Sequence, residues 1–207
     1  MNRLSFALAR LRRDEGKLAA LSVPQSELLA DYAGRSVALI GNARGLADAR
    51  LGEMIETADL IIRINRAPKP FAHSHGTRTD QLALAVALDA AKLDALQTRR
   101  VLWMSHKRKR LPWHVANRPG FYLHPQADYE RLKTALGSQP TTGAMMIDLL
   151  ARSDARRIDL YGFDFFATLS LTGSRTAEQV PHDFNAEAAW VHALIARDPR
   201  FRLHSHG

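Results

Sequence analysis

Short apolar runs that alternate with helical patterns are the feature that most constrains the fold of this chain. Helical patterns occupy several of the intervals, notably Ala47 to Glu56, Ala127 to Leu136, Gly143 to Arg152 and Phe184 to Ala196. The alternation predicts an α/β/α sandwich with a mostly parallel, Rossmann-like sheet. Seven runs are candidate strands: Ser36 to Ile40, Asp59 to Ile64, Gln81 to Val86, Arg100 to Met104, Gly120 to Leu123, Ile158 to Tyr161 and Arg202 to His204.

The length of the chain limits its domain organisation. With 207 residues it can bury one sizeable core but not two ordinary domains of an enzyme. We therefore expect a helical extension over residues 1–33 and a single domain over residues 34–207. No run approaches the roughly 18 to 20 apolar residues of a membrane-spanning helix, and no signal-peptide core is present. The chain has no cysteine, which excludes disulfides and thiolate metal sites, and we expect a cytoplasmic location.

The chain is strongly basic, since its 29 Lys and Arg residues outnumber its 21 Asp and Glu residues and give a net charge of +8. Such a balance favours anionic partners. The cations concentrate at Arg10 to Lys17 and at His106 to Arg110. The second cluster follows a candidate strand, so it either binds an acidic glycan or a membrane, or forms a solvated loop. Nucleic-acid binding is disfavoured because no recognised fold motif or aromatic platform accompanies the charge.

The N-terminal extension has the pattern of a basic amphipathic helix. Leu4, Leu8 and Leu11 recur at helical spacing beside several arginines, until Pro24 interrupts the pattern. Two interpretations remain open. The helix either packs on the domain or on a second copy of the chain, or it docks on an anionic membrane surface such as the inner membrane.

Ligands of open α/β sheets bind beyond the carboxyl ends of the strands, so the residues that follow strands are candidates for a site. Gly41 and Asn42 follow the first run, where the glycine would let a ligand approach the backbone and the amide suits nucleotide recognition. Asn65 follows the second run, flanked by Arg63 and Arg66. If the two strands are neighbours, both asparagines converge. Each turn alone is equally compatible with an ordinary structural role.

A third candidate is the helix start at Pro140-Thr141-Thr142-Gly143. The free amides of a first helical turn, the helix dipole and two hydroxyls can together hold a phosphate or a carboxylate. Gly143 would remove the side chain that blocks approach of such a ligand. An ordinary helix cap is the alternative for this segment.

The order of these pieces resembles the sialyltransferase family, in a short bacterial form. Gly41-Asn42, then Gly52, Ile55 and Asp59, then Arg63-x-Asn65-x-Ala67-Pro68, resemble the large sialylmotif. Pro140 to Gly143 leading to Leu160-Tyr161-Gly162-Phe163 resembles the small motif. His182 and Glu187, separated by four residues, resemble the very small motif. The resemblance covers roughly Val37 to Glu187.

The resemblance implies a variant GT-A fold over residues 34–207 and an inverting glycosyltransferase. Its donor would be a CMP-activated sialic acid or a related keto acid such as Kdo, its acceptor a glycan or glycolipid, and no cofactor or metal ion would be needed. By similarity His182 is the catalytic base. Glu187, in a first helical turn, would be stabilised by the dipole in a structural role. Donor contacts fall by similarity on Gly41, Asn42, Asn65, Thr141, Thr142, Gly143, Gly162 and Phe163, with Arg44 and Arg63 as tentative helpers.

The sequence also departs from the family pattern. Animal members carry a histidine between the small and very small motifs that assists the leaving phosphate, whereas residues 164–181 contain none. Either Arg175, with Ser174 or Thr172, replaces it, or the turn at Pro140 to Gly143 acts alone. A non-catalytic CMP-binding or membrane-surface scaffold of the same fold is therefore the alternative function. The pairs His73-x-His75 and His204-x-His206 lack a third metal ligand and are expected to be surface histidines.

Overall fold

The seven predicted strands all form, and together they make one sheet. A computed structural model describes residues 1–164 and 182–204 of the chain. The strands pair in the order β5-β4-β3-β2-β1-β6-β7, and every pairing is parallel. The strands are β1 (Ser36–Ile40), β2 (Leu60–Ile64), β3 (Gln81–Leu84), β4 (Arg100–Trp103), β5 (Tyr122–Leu123), β6 (Arg157–Tyr161) and β7 (Phe201–His204).

Helices fill most of the intervals between the strands. The interval predicted as one helix, Ala47 to Glu56, instead holds a 3₁₀ helix at Arg44–Asp48 and a separate α-helix. A second 3₁₀ helix spans Arg108–Arg110. The α-helices are α1 (Arg3–Arg12), α2 (Glu15–Ala19), α3 (Gln25–Ala30), α4 (Gly52–Glu56), α5 (Ala72–His75), α6 (Ala90–Ala95), α7 (Trp113–Ala116), α8 (Gln126–Leu136), α9 (Thr142–Ala151) and α10 (Phe184–Arg197).

Both faces of the sheet are covered by helices, as a parallel sheet requires. One face packs on a single large core that includes residues of α3, α8, α9 and α10. The other face carries two smaller clusters: one joins α1, α6 and α7 to β3, β4 and β5, and one joins α4 to β1 and β2. The predicted α/β/α sandwich is therefore confirmed. Within the described ranges, no helix combines the length and hydropathy needed to cross a membrane.

The N-terminal extension divides into three short helices rather than one. The first helix ends at Arg12, well before Pro24, and its C-cap Arg13 has a left-handed backbone with φ 55°. Further along, Asp31 accepts hydrogen bonds from Arg100 and from the side chain of Gln81, at the starts of β4 and β3. Tyr32 donates to the same glutamine at 2.8 Å. These buried bonds attach the extension to the amino ends of the strands.

The strand order places one break in the sheet's progression. From β1 the chain moves through β2, β3, β4 and β5 in one direction, and then returns to add β6 and β7 on the other side of β1. The carboxyl ends of β1 and β6 therefore border a topological switch point, where open α/β sheets form their ligand crevices. Gly41 follows β1 and Gly162 follows β6, so both lie at this switch point.

Candidate active site

The two glycines at the switch point are in close backbone contact. A Cβ on Gly41 would lie 2.2 Å from the carbonyl oxygen of Gly162, and Gly162 itself has a left-handed φ of 69°. The amide of Ala43 donates to the Gly162 carbonyl at 3.1 Å. The sequence predicted that a ligand approaches the backbone of Gly41, but its nearest neighbour is this second turn. Glycine is required here because the two turns would otherwise collide.

Asn65 connects three elements at the same edge of the sheet. β1 and β2 are neighbours, as the convergence of Asn42 and Asn65 required. Asn65 has a left-handed φ of 53°, and its side-chain oxygen accepts from the Ala85 amide beyond β3 at 3.0 Å. Its Nδ2 lies 3.5 Å from Oγ1 of Thr142 at the start of α9. Asn42 is partly buried at the end of β1.

Gly143 gives room to an aromatic ring. A Cβ at this position would lie 2.7 Å from Cε1 of Phe163, and a Cβ on Gly41 would lie 3.3 Å from Cδ2 of the same ring. Phe163 therefore packs between the switch point and the first turn of α9. This packing is a second reason for glycine at 143, beside the predicted approach of an anion to the helix start.

Thr141 is bound to Glu187 across the site. It is the N-cap of α9: its Oγ1 accepts from the Ala144 amide at 3.0 Å and donates to Glu187 Oε2 at 2.8 Å, while its own amide donates to Oε1 at 2.6 Å. The hydroxyl of Thr141 is thereby occupied, which makes it a positioning group rather than a phosphate donor. Glu187 is buried, and burial raises its pKa to about 7 despite the two bonds from Thr141. The expected stabilisation by the helix dipole is therefore outweighed.

His182 directly precedes the N-cap of α10 and is held in one orientation. Its Nδ1 lies 2.7 Å from the carbonyl oxygen of Gln139, which can only accept, so Nδ1 carries the proton and donates. The lone pair of the neutral ring is then on Nε2. Burial lowers the pKa of His182, the bond to Gln139 opposes this, and the positive charge of Lys107 lowers it further. The ring is therefore neutral at pH 7, as a base must be.

These contacts assemble most of the predicted site residues into one place. We call this set the crevice: it comprises Gly41, Asn42, Asn65, Thr141, Thr142, Gly143, Gly162, Phe163 and His182. A continuous series of contacts runs from β1 and β6 through Phe163 to α9, and from α9 through Glu187 to α10. The structure thus joins three motifs that are separated along the sequence.

The tentative arginines behave differently from the crevice residues. Arg63 is 1% exposed, and its guanidinium donates to the carbonyls of Arg78 at 3.0 Å and His75 at 2.7 Å. Burial lowers its pKa to about 10. Arg63 therefore braces the segment after α5, and this geometry does not support a donor contact. Arg44 is exposed at the start of its 3₁₀ helix. Arg175, with Ser174 and Thr172, lies outside the described residues.

Sequence reasoning missed two partners of His182. Gln139 was not singled out, although its place before the Pro140 turn would have been the signal. Lys107 was assigned to a basic cluster without a link to the histidine. Within that cluster Arg108 is not available to a ligand, because it is buried and pairs with Glu15 at 2.8 Å.

The histidine pairs agree with expectation only in part, since His73 is exposed as predicted. His75 is fully buried rather than at the surface, with its Nδ1 2.8 Å from the hydroxyl of Ser74. His204 binds Asp159 at 2.9 Å and stacks on Tyr161, while His206 is outside the described residues. In the described parts of the chain, no three His, Asp or Glu side chains are grouped so that they could hold a metal ion.

Comparison with solved structures identifies the architecture. A mammalian sialyltransferase in complex with Gal-beta-1-3GalNAc-ortho-nitrophenol matches 97% of this chain with 84% of its own, at 16% identity and a TM-score of 0.62. The sialyltransferase CstII from Campylobacter jejuni, in complex with the substrate analogue CMP-3FNeuAc, matches 82% of this chain with 79% of its own, at 14% identity and a TM-score of 0.55. The chain has the sialyltransferase fold.

The sequence comparison agrees with the structural one. Residues 17–100 match the model of glycosyltransferase family 29 (sialyltransferase). No curated protein matches the chain. The predicted resemblance is confirmed, and the chain is sialyltransferase-like both in sequence over this range and in fold. The match contains the segment that resembles the large sialylmotif, whereas the segments that resemble the small and very small motifs lie beyond it.

Proposed function

We propose that this protein is an inverting, metal-independent glycosyltransferase. It would move sialic acid, or a related keto acid such as Kdo, from a CMP-activated donor to a hydroxyl of a glycan or glycolipid. The observation that carries the proposal is the hydrogen bond from His182 Nδ1 to the Gln139 carbonyl, which leaves the lone pair of the neutral ring on Nε2, in a protein with the sialyltransferase fold. No cofactor is proposed.

In this reaction His182 accepts one proton, that of the acceptor hydroxyl. The acceptor hydroxyl must lose its proton to Nε2 as its oxygen attacks the anomeric carbon, and the bond from that carbon to the CMP phosphate breaks. The carbonyl of Gln139 keeps the Nδ1 proton in place and stabilises the imidazolium that forms. A neutral ring with a lowered pKa is ready to accept this proton at pH 7.

The donor would lie over the ends of β1 and β2 and the start of α9. The Nδ2 group of Asn65 points toward Thr142, where it can donate to a ribose or phosphate oxygen. By helix geometry, the amides of Thr142 and Gly143 have no partner within α9 and lie at its positive end. We assign the leaving phosphate to these amides, and Arg44 and Arg175 remain proposed helpers. The CMP named for the solved relatives supports this class of donor.

The test is release of CMP from CMP-sialic acid and from CMP-Kdo with a panel of glycan acceptors. We expect His182→Ala to lower kcat by about 10² to 10⁴, because a positioned general base contributes that factor. CMP affinity measured by calorimetry should not change. His73→Ala is the matched control, since His73 is exposed and stacks on Phe71.

Three results would contradict the proposal. Full activity of His182→Ala would exclude this residue as the base, and CMP binding without turnover on any acceptor would favour a scaffold. Loss of activity in EDTA would exclude metal independence. Inversion is tested separately, by the anomeric configuration of the product in NMR.

A further inference from the structure

Helix α1 turns its leucines away from the protein. Leu4, Leu8 and Leu11 are 72%, 46% and 63% exposed, while Phe6 and Ala9 are each 2% exposed. Seven large apolar side chains are exposed in the described part of the chain, and four of them, including Met1, lie in its first eleven residues. The helix therefore has two apolar faces, one buried in the domain and one in contact with solvent.

The spacing of the leucines produces a continuous stripe. Positions i, i+4 and i+7 lie on one side of an α-helix, and at about 3.6 residues per turn this side is opposite Phe6 and Ala9. The opposite face of α1 is already packed on the domain. The ring centroids of Phe6 and Trp113 are 5.2 Å apart, and the guanidinium of Arg10 donates to the carbonyl of Leu111 at 3.0 Å. The stripe therefore has no role in holding α1 to the domain.

Positive charge surrounds the stripe. Arg3 and Arg12 lie on opposite flanks of α1, and Arg13 follows it; all three are exposed, and none pairs with a carboxylate in the described ranges. Lys109 and Arg110 lie exposed on the adjoining 3₁₀ helix. The two basic clusters of the sequence are adjacent, since Arg10 binds the carbonyl of Leu111 and Glu15 binds Arg108.

The nearby carboxylates are already in use. Asp14 pairs with Lys17 at 3.2 Å, and Glu15 binds the buried Arg108 at 2.8 Å.

The surface formed by Leu4, Leu8 and Leu11 with Arg3, Arg12 and Arg13 is called the α1 face. A second copy docked through this face would bring arginines against arginines, since a twofold interface is self-complementary. An anionic lipid surface instead satisfies both the leucines and the arginines.

We infer that the α1 face docks on anionic membrane lipids, with α1 lying in the plane of the interface. The leucines would enter the boundary between headgroups and acyl chains, and the arginines would contact lipid phosphates. Docking itself does not depend on the proposed activity. Its use for a glycolipid acceptor does rest on that function. The segment Ser105 to Arg110, next to α1, follows β4 at the same edge of the sheet as the crevice, so docking would bring the crevice toward a lipid-linked acceptor.

The test is sedimentation of the full chain with vesicles. We expect binding to vesicles of phosphatidylglycerol and phosphatidylcholine in equal amounts, weak binding to phosphatidylcholine alone, and a decrease with salt. Replacing the three leucines together, Leu4→Ser, Leu8→Ser and Leu11→Ser, should weaken binding at least about tenfold because their apolar surface no longer leaves water. Met54→Ser with Phe71→Ser is the matched control, since these side chains are also exposed but belong to α4 and to the N-cap of α5.

The charged flanks are tested with Arg3→Gln and Arg12→Gln. Each substitution should weaken binding about fivefold, the effect of one basic residue near an anionic surface. Arg50→Gln removes an exposed charge elsewhere and should have little effect. Thermal unfolding of all variants should match the wild type, because none of the replaced side chains is buried.

Three outcomes would overturn the inference. Wild-type protein that does not sediment with the anionic vesicles lacks the docking surface, and leucine variants that sediment as well as wild type place it elsewhere. Light scattering that shows a dimer, dissociated by the leucine substitutions, assigns the face to a second copy. Release of CMP with a soluble acceptor should be unchanged in the leucine variant, so failure of docking and failure of the proposed function are distinguishable.

Discussion

The crevice and the α1 face are built in opposite ways. In the crevice, backbones approach so closely that only glycine fits, as at Gly41 against Gly162, and polar side chains such as Asn65 and Thr141 are bound to other elements. On the α1 face, Leu4 and Leu11 touch little of the protein and project into solvent. The crevice is defined by contacts within the chain, whereas the α1 face is defined by apolar and charged side chains that are exposed to solvent.

This difference determines how each region tolerates substitution. A change in the crevice disturbs several elements together, because β1, β6, α9 and α10 are joined there through Phe163 and Glu187. A change on the α1 face leaves the fold intact and affects only an external partner. Substitutions in the crevice should therefore change the free energy of unfolding. Substitutions on the α1 face should change binding to a partner while the free energy of unfolding stays constant.

The largest expected effect is that of Gly41→Ala. Its Cβ would lie 2.2 Å from the carbonyl oxygen of Gly162. Because this neighbour is a backbone atom and not the end of a flexible side chain, it cannot move aside easily. We expect the free energy of unfolding to fall by about 3 kcal/mol or more, the upper range for overpacking, with loss of CMP binding. Thermal unfolding and calorimetry measure the two effects.

Gly16→Ala is the matched control for this substitution. It lies in α2, where the nearest atom to a new Cβ is 3.7 Å away, and alanine favours a helix. We expect equal or slightly higher stability. If Gly41→Ala proved as stable as Gly16→Ala, the two turns at the switch point could not be in the contact described.

Glu187→Gln should change how stability depends on pH. The pKa of Glu187 is raised by burial from 4.5 to about 7, so the folded state binds this proton more tightly than the unfolded state. The stability contributed by the protonated group is complete below pH 4.5 and is lost as pH rises toward 7. The loss amounts to at most about 3 kcal/mol. The glutamine variant should lack this decline, as measured by denaturant unfolding across that range.

Glu53→Gln serves as the comparison, because Glu53 is exposed in the first turn of α4. It should keep the wild-type dependence on pH. A decline that persists in Glu187→Gln would mean that groups other than Glu187 produce it.

Much of the fold could be predicted because its signals are local. A buried parallel strand is a short apolar run, and Ser36–Ile40 was placed without error for that reason. The positions that meet at the crevice were recognisable too, since a glycine at a strand end and a threonine before a helix are short patterns, but the packing that requires glycine at 41 and 143 was not. The convergence of Asn42 and Asn65 required only that β1 and β2 be neighbours, whereas the contacts of Gly41 with Gly162 and of Thr141 with Glu187 depended on the rest of the topology.

Other features depend on contacts that are distant in sequence. The leucine pattern of α1 predicts a helix but not which side faces the domain, because Phe6 and Ala9 form a second apolar face. Arg63 and Arg108 were counted as available cations, yet both are buried against groups that the topology brings to them. For the same reason the burial that raises the pKa of Glu187 was invisible before the packing of α9 and α10 was known.

The smallest expected effect links the two regions through Lys107. Its positive charge lowers the pKa of His182, so Lys107→Gln should raise that pKa and move the acid limb of the kcat/KM profile to higher pH. Lys133→Gln is the control, because the charge of Lys133 acts on His106 but not on His182. An acid limb that stays in place would separate Lys107 from the base, whereas equal shifts in both variants would indicate net charge alone. A shift confined to Lys107→Gln would show that this basic segment lowers the pKa of His182 in addition to the effect of burial.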